Sequence, residues 1–347
     1  MVVRATGINP EMLRWARERA GYSIEEVARR RRVPPERVKE WESGKSFPTW
    51  KQLKQLAHRD YHRSTVFFFR NGPPEEKTVI EHFPYLPEET LTDLHPDTLY
   101  AVRQARIRQN DLSELLGPDG SGGRLILRDL RVEADAGNPG SMTAAVREYL
   151  GVDLNDPEGF SNRIYTFEDF RSRIEDAGVW VFKRNFRQED VTGLCLDDDV
   201  YPVIYVSNGQ DKAQEIFTLF NELMHLLFGF NYLERTEKRH YLTSMTNISP
   251  EIENACNQFA SEFYNAVERA MDYPIIYAYA SVDYTESAWG TGDREFYYTV
   301  QGANLGRKYL RTAFNAFEEG QVNESDLASL LGAKGHHLDG LERYAWR

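Results

Sequence analysis

Residues 212–230 read KAQEIFTLFNELMHLLFGF, and this stretch decides how the rest of the chain is understood. Ile216, Phe217, Leu219 and Phe220, with Leu226 and Leu227 after them, recur at helical spacing and predict one long helix from about Ala213 to Phe228. On a helix, residues four apart share a face. A His-Glu-x-x-His run therefore presents two imidazoles to one zinc ion and sets the glutamate beside the metal-bound water. Glu222 and His225 stand where that pattern wants them, but Asn221 occupies the first position. An amide oxygen suits hard cations and is a poor replacement for imidazole on zinc. A bare Glu-x-x-His recurs in helices by chance, so its neighbours must carry the case.

Upstream lie two helix-like segments, MTAAVREYLG (142–151) and FEDFRSRIEDAG (167–178). Three β-branched and aromatic runs follow, VWVFK, VTGLCL and PVIYVS, and these predict a small sheet. Downstream, a second long helix is expected from about Ser249 to Ala270, and residues 290–347 read as further helices with caps at Asn323-Glu324-Ser325 and Gly335. Residues 70–95 are rich in proline and acid and read as an arm. Pro96 to Leu116 reads as a helix, and the glycine-rich stretch 117–123 is a break.

The N-terminal segment is a series of short helices. Asn9-Pro10 caps the first, which carries Leu13, Ala16 and Ala20 inward. Ser23 and Glu26 form a capping box for the second. Val33-Pro34-Pro35 starts the third, with Val38 and Trp41 inward, and Pro48-Thr49 opens the fourth. Phe67, Phe68 and Phe69 are expected to close the unit with apolar bulk.

Charge is divided unevenly. Residues 1–63 hold 15 Lys and Arg against 8 Asp and Glu, while the whole chain is at −12. A basic head on an acidic body suits a nucleic-acid-binding module joined to another domain. No run of eighteen apolar residues occurs, so no membrane span is expected. The amphipathic, charged N-terminus lacks the apolar core of a secretory signal. The two cysteines, Cys195 and Cys256, fit a reducing cytosol and are expected to be buried thiols. His58, His62, His82, His95, His336 and His337 are expected to be solvated or cap residues, and His240 is the candidate to fold back as a substitute ligand.

The run LRWARERAGYSIEEVARRRRVPPERVKEWESGKSFPTWKQLKQLA resembles the XRE/Cro-type helix-turn-helix family. The resemblance implies that the third helix lies in the major groove of an operator, with Arg32, Glu36, Arg37, Lys39 and Lys45 as the DNA-facing set. Glu36 can accept from a cytosine amine, and the cations can donate to phosphates. The order FRSRIEDAGVWVFK, VTGLCLDDDVYPVIYVSNGQ, the motif helix and then EIENACNQFASEF is similar to the ImmA/IrrE metallopeptidase family.

That second resemblance implies Glu222 as general base, activating water. It implies His225 and Glu253 as zinc ligands, with Asn221 in place of the first histidine and Glu251 as the register alternative. The cofactor it implies is zinc, held weakly or not at all because of Asn221. The expected fold class is α+β and mostly helical. A helix-turn-helix domain over 1–69 is followed by an arm and helix over 70–141, a zincin-like domain with a small sheet over 142–270, and a helical segment over 271–347. The function implied is a cytoplasmic antitoxin or transcriptional regulator with impaired or absent proteolysis; the alternative is an active zinc metalloendopeptidase. Partners implied are an operator DNA, an XRE-type repressor or a cognate toxin, and a second copy of the chain if the operator is palindromic.

Overall fold

A computed structural model describes residues 3–84, 93–120, 123–131, 139–152, 166–235, 250–271 and 294–347. The chain divides into two compact units, 1–84 with 88–102, and 85–87 with 103–347.

The first unit opens with α1 (Pro10–Arg19), α2 (Ile24–Arg31), α3 (Pro35–Glu42) and α4 (Trp50–Gln55). Each boundary follows from its residues. Asn9 caps α1 by accepting from the Glu11 amide, and Ser23 and Glu26 form the reciprocal box on α2. Thr49 and Gln52 repeat that box on α4. Met12, Leu13, Ala16, Val27, Ala28, Val38, Trp41 and Leu53 meet in one core. The closing phenylalanines divide differently from expectation. Phe68 is fully buried, but Phe69 is 39% exposed because a tight 3-10 turn over Thr65–Phe69 rotates neighbouring side chains apart. A short α5 (Val79–His82) follows, and then α6 (Pro96–Leu116), which ends at Gly117 as the sequence predicts.

The second unit continues through α7 (Ile126–Leu130), α8 (Pro139–Leu150) and α9 (Phe167–Asp176) to β1 (Trp180–Arg184), β2 (Val191–Leu196) and β3 (Val203–Ser207). Next come α10 (Lys212–Leu227), β4 (Tyr232–Arg235) and α11 (Pro250–Met271). The C-terminal helices are α12 (Arg294–Leu305), α13 (Arg307–Glu318), α14 (Glu324–Leu330) and α15 (Leu338–Trp346). The sheet order is β1-β3-β2-β4, with β1 parallel to β3 and the other pairs antiparallel. The fourth strand escapes the sequence reading because four residues directly after a helix carry too short an alternation to register.

Helix α10 lies at the centre of this unit, packed on α11, β2 and β3, and every residue from Glu215 to Leu227 is buried. A helix enclosed on all sides should be apolar throughout. Instead Glu215, Thr218, Glu222 and His225 recur at three- and four-residue spacing, a polar stripe down one buried face, with Asn221 beside it. Buried polar groups cost free energy unless partnered, and the partners define the site.

Candidate functional site in the buried helix and the helix-turn-helix face

The stripe begins with an ion pair. Lys183 on β1 donates to Glu215 at 2.7 Å, both buried, and burial pulls the lysine below its ordinary range. Thr218 donates to Gln210 at 3.3 Å. Glu222 then faces β2 where that strand is thinnest. A Cβ built on Gly193 would stand 2.4 Å from the Thr218 methyl and 2.9 Å from Glu222 Oε1, so only glycine lets the helix approach. Cys195, also on β2, lies beside the same carboxylate. Burial first, and then Glu222, push its thiol well above the ordinary value.

On the other side stands α11. Asn221 Nδ2 donates to Asn257 Oδ1 at 3.3 Å, leaving Asn221 Oδ1 without a hydrogen-bond partner among the described residues. His225 Nδ1 is 3.7 Å from the Cys256 thiol, Tyr232 stacks on the ring at 3.7 Å, and Nε2 has no hydrogen-bond partner among the described residues. Burial holds the imidazolium far below its ordinary value, at about 3, so the ring is neutral. Glu253 is buried one turn before Asn257 on the same helix. His240 and the side chain of Glu251 lie outside the described residues.

The expected set is thus divided between two packed helices, Asn221, Glu222 and His225 on α10 and Glu253 on α11. Sequence reading missed Cys195, Tyr232 and Gly193 as neighbours of the site. Cys256 was legible, since it falls on the helix face of Glu253 three residues on. Cys195 was not, because only sheet packing brings β2 beneath α10.

These residues do not fit a zinc centre of the His-Glu-x-x-His kind. Position 221 supplies an amide oxygen that is turned by Asn257. Among the described residues, no three His, Cys, Asp or Glu side chains form a group able to hold a metal ion. Both cysteines are buried thiols outside any disulfide, as the sequence reading expects. Of the described histidines only His225 is buried.

In the first unit, Arg17 clamps Glu42 with two bonds of 2.7 and 3.0 Å, tying α1 to the end of α3 from inside the core. Asp60, fully buried, accepts from Arg30 at 2.8 Å and pairs with Arg31 at 3.0 Å, so two of the consecutive arginines 29–32 have a structural role. Arg32 follows them, exposed, in the left-handed region at φ 55°. On α3, Glu36, Arg37 and Lys39 face outward, as does Lys45 beyond it. Arg37 pairs with Glu40 at 3.1 Å and Ser46 donates to the same glutamate at 3.1 Å. Among the described residues, no helix is long and apolar enough to cross a membrane.

Residues 11–59 match the family model described as a helix-turn-helix domain, and residues 174–287 the model described as an IrrE N-terminal-like domain. No curated protein and no solved structure matches the chain. The second match begins in α9 and takes in the sheet, α10 with its polar stripe, and α11. The chain therefore carries an XRE-type helix-turn-helix domain at its N-terminus and, in its middle, an IrrE N-terminal-like, peptidase-like domain with a small mixed sheet.

Proposed function

We propose that this chain is a cytoplasmic DNA-binding regulator, of transcription or of a cognate toxin, whose peptidase-like domain acts with impaired or absent proteolysis. One observation carries the reading. At the position of the first zinc ligand stands a fully buried asparagine, its amide nitrogen bonded to Asn257. A neutral amide oxygen does not replace an imidazole on zinc, and losses even in the outer shell of a metal site cost 10–100-fold in affinity. Regulation is supported by the helix-turn-helix domain and its outward cations Arg32, Lys39 and Lys45, which suit phosphate contacts. A homodimer is what a palindromic operator would require.

The second reading, an active zinc metalloendopeptidase that cleaves an XRE-type repressor or another partner, is favoured by the retention of Glu222, His225 and Glu253, all buried at the α10–α11 interface. Metal analysis of the purified chain beside Asn221→His separates the two. Zinc in the variant alone, with no cleavage of candidate repressors by the unmodified chain, supports the regulator. Stoichiometric zinc in the unmodified chain, lost in Glu253→Ala, supports the peptidase.

A further inference from the structure

The outward face of α3 is poor in available charge. Arg37 is paired with Glu40 at 3.1 Å, so those two largely cancel. Lys39 and Glu36 remain, both exposed and of opposite sign, and together they give no net attraction for a phosphate. Any excess of cation must come from the flanks. The loop after α3 provides the first. The Ser46 hydroxyl donates to Glu40 at 3.1 Å and the Ser46 N–H to the Glu40 carbonyl at 3.3 Å, which folds residues 43–49 back against the end of α3. Lys45 therefore stands exposed beside that face. Phe47, next after Ser46, extends the surface further. Its carbonyl accepts from Arg4 Nη1 at 2.8 Å, across 43 residues of sequence.

The backbone holds Arg4 in that place. Arg4 is bridged antiparallel to Thr49, with the Ala5 N–H donating to the Pro48 carbonyl at 2.9 Å and the Trp50 N–H to the Val3 carbonyl at 3.2 Å. Ala5 is fully buried in the core, and side chains alternate along an extended segment, so Arg4 points outward. A guanidinium has five N–H donors. Phe47 takes one, the side chain is exposed, and no carboxylate among the described residues pairs with it. We propose that Arg4 binds a backbone phosphate of duplex DNA, and that the cationic face runs from Lys39 through Lys45 to the N-terminal strand. The proposal rests on the DNA-binding reading above and adds a contact that lies before residues 11–59, the stretch matching the helix-turn-helix model.

The test is fluorescence anisotropy on the full-length chain, with a labelled duplex that the unmodified chain itself selects from a random-sequence pool. Arg4→Gln is the informative variant, because its amide can still donate to the Phe47 carbonyl but carries no charge. It should weaken binding and flatten the dependence of affinity on salt by about one phosphate contact. Such a contact contributes a slope of about 0.9, so the parent's advantage over Arg4→Gln should shrink roughly threefold between about 50 and about 200 mM salt. Arg4→Lys keeps the charge and should keep the parent's slope. If Arg4→Gln retains the parent's affinity and slope while Lys39→Ala loses both, the proposal is overturned and DNA binding stands. Equal flattening in Arg4→Gln and Arg4→Lys also overturns it, since the guanidinium would then be a structural tie. Failure of the unmodified chain to enrich any duplex overturns the DNA-binding reading, and this proposal with it.

Discussion

Replacing Gly193 by alanine tests how closely the motif helix rests on the sheet. The added methyl would lie 2.4 Å from Thr218 Cγ2, 2.9 Å from Glu222 Oε1 and 3.2 Å from Glu222 Cγ. Non-bonded carbons prefer roughly 3.5–4.0 Å, so the threonine contact must open by more than 1 Å. Neither neighbour has room to yield. Thr218 and Glu222 are both completely buried, and a β-branched side chain is stiff at its first torsion. Helix α10 or strand β2 must therefore shift, and overpacking of this kind costs about 1–3 kcal/mol. For a unit of this size each kcal/mol lowers the melting temperature by roughly 2–4 °C, a loss readily measured by circular dichroism. The clash has a named partner, so a double-mutant cycle tests it. Thr218→Ser removes the offending methyl, keeps the hydroxyl that bonds Gln210, and should recover part of the loss as a coupling of at least about 0.5 kcal/mol. Equal melting temperatures for Gly193→Ala and the parent, or strictly additive effects in the double variant, would refute the close-packing argument.

Acid should weaken the second unit through His225. The folded ring is held near pKa 3, whereas an unfolded histidine titrates near 6.5. A base with a depressed folded pKa contributes stability above its unfolded value, and that contribution is lost as pH falls. At pH 5 the loss is about 2 kcal/mol, set almost entirely by the unfolded pKa. His225→Gln should show a correspondingly flatter stability profile between pH 7 and pH 5 in urea titrations. Arg32→Gly should relieve the left-handed cap and stabilise the first unit by roughly 0.5–1 kcal/mol, while DNA affinity drops through loss of a cation. A stabilised variant with undiminished affinity in fluorescence anisotropy would remove Arg32 from the interface. Glu42→Ala removes the main partner of the buried Arg17 guanidinium, leaving it Glu18 at 3.2 Å and the Tyr22 carbonyl at 3.0 Å, and should cost about 1.5–3 kcal/mol, read as a lowered melting temperature of the first unit. Lys39→Ala should reduce the dependence of DNA affinity on salt by about one phosphate contact; an unchanged salt slope counts against the groove-docked reading of α3.

Much of this molecule was legible before any packing was known. Capping residues write local boundaries directly into the chain, so Asn9, Ser23 with Glu26, and the proline pair that opens α3 announce the first unit. The apolar period of 212–230 announces a buried helix, and its Glu-x-x-His announces chemistry on that helix. These are short-range signals, carried by residues within a turn or two of one another. Tertiary structure decided the rest. That Cys195 and Gly193 underlie Glu222, that Tyr232 covers His225, and that Asn257 claims the amide of Asn221 all depend on strands and helices distant in sequence packing at van der Waals range. The same holds for Arg30 and Arg31, whose shared partner Asp60 is buried between them from thirty residues away. Local hydrogen bonds and periodicity determine which segments become helices and strands. Which polar atoms end up hydrogen-bonded, and which keep an unused lone pair, is settled only when those segments close on one another and exclude water.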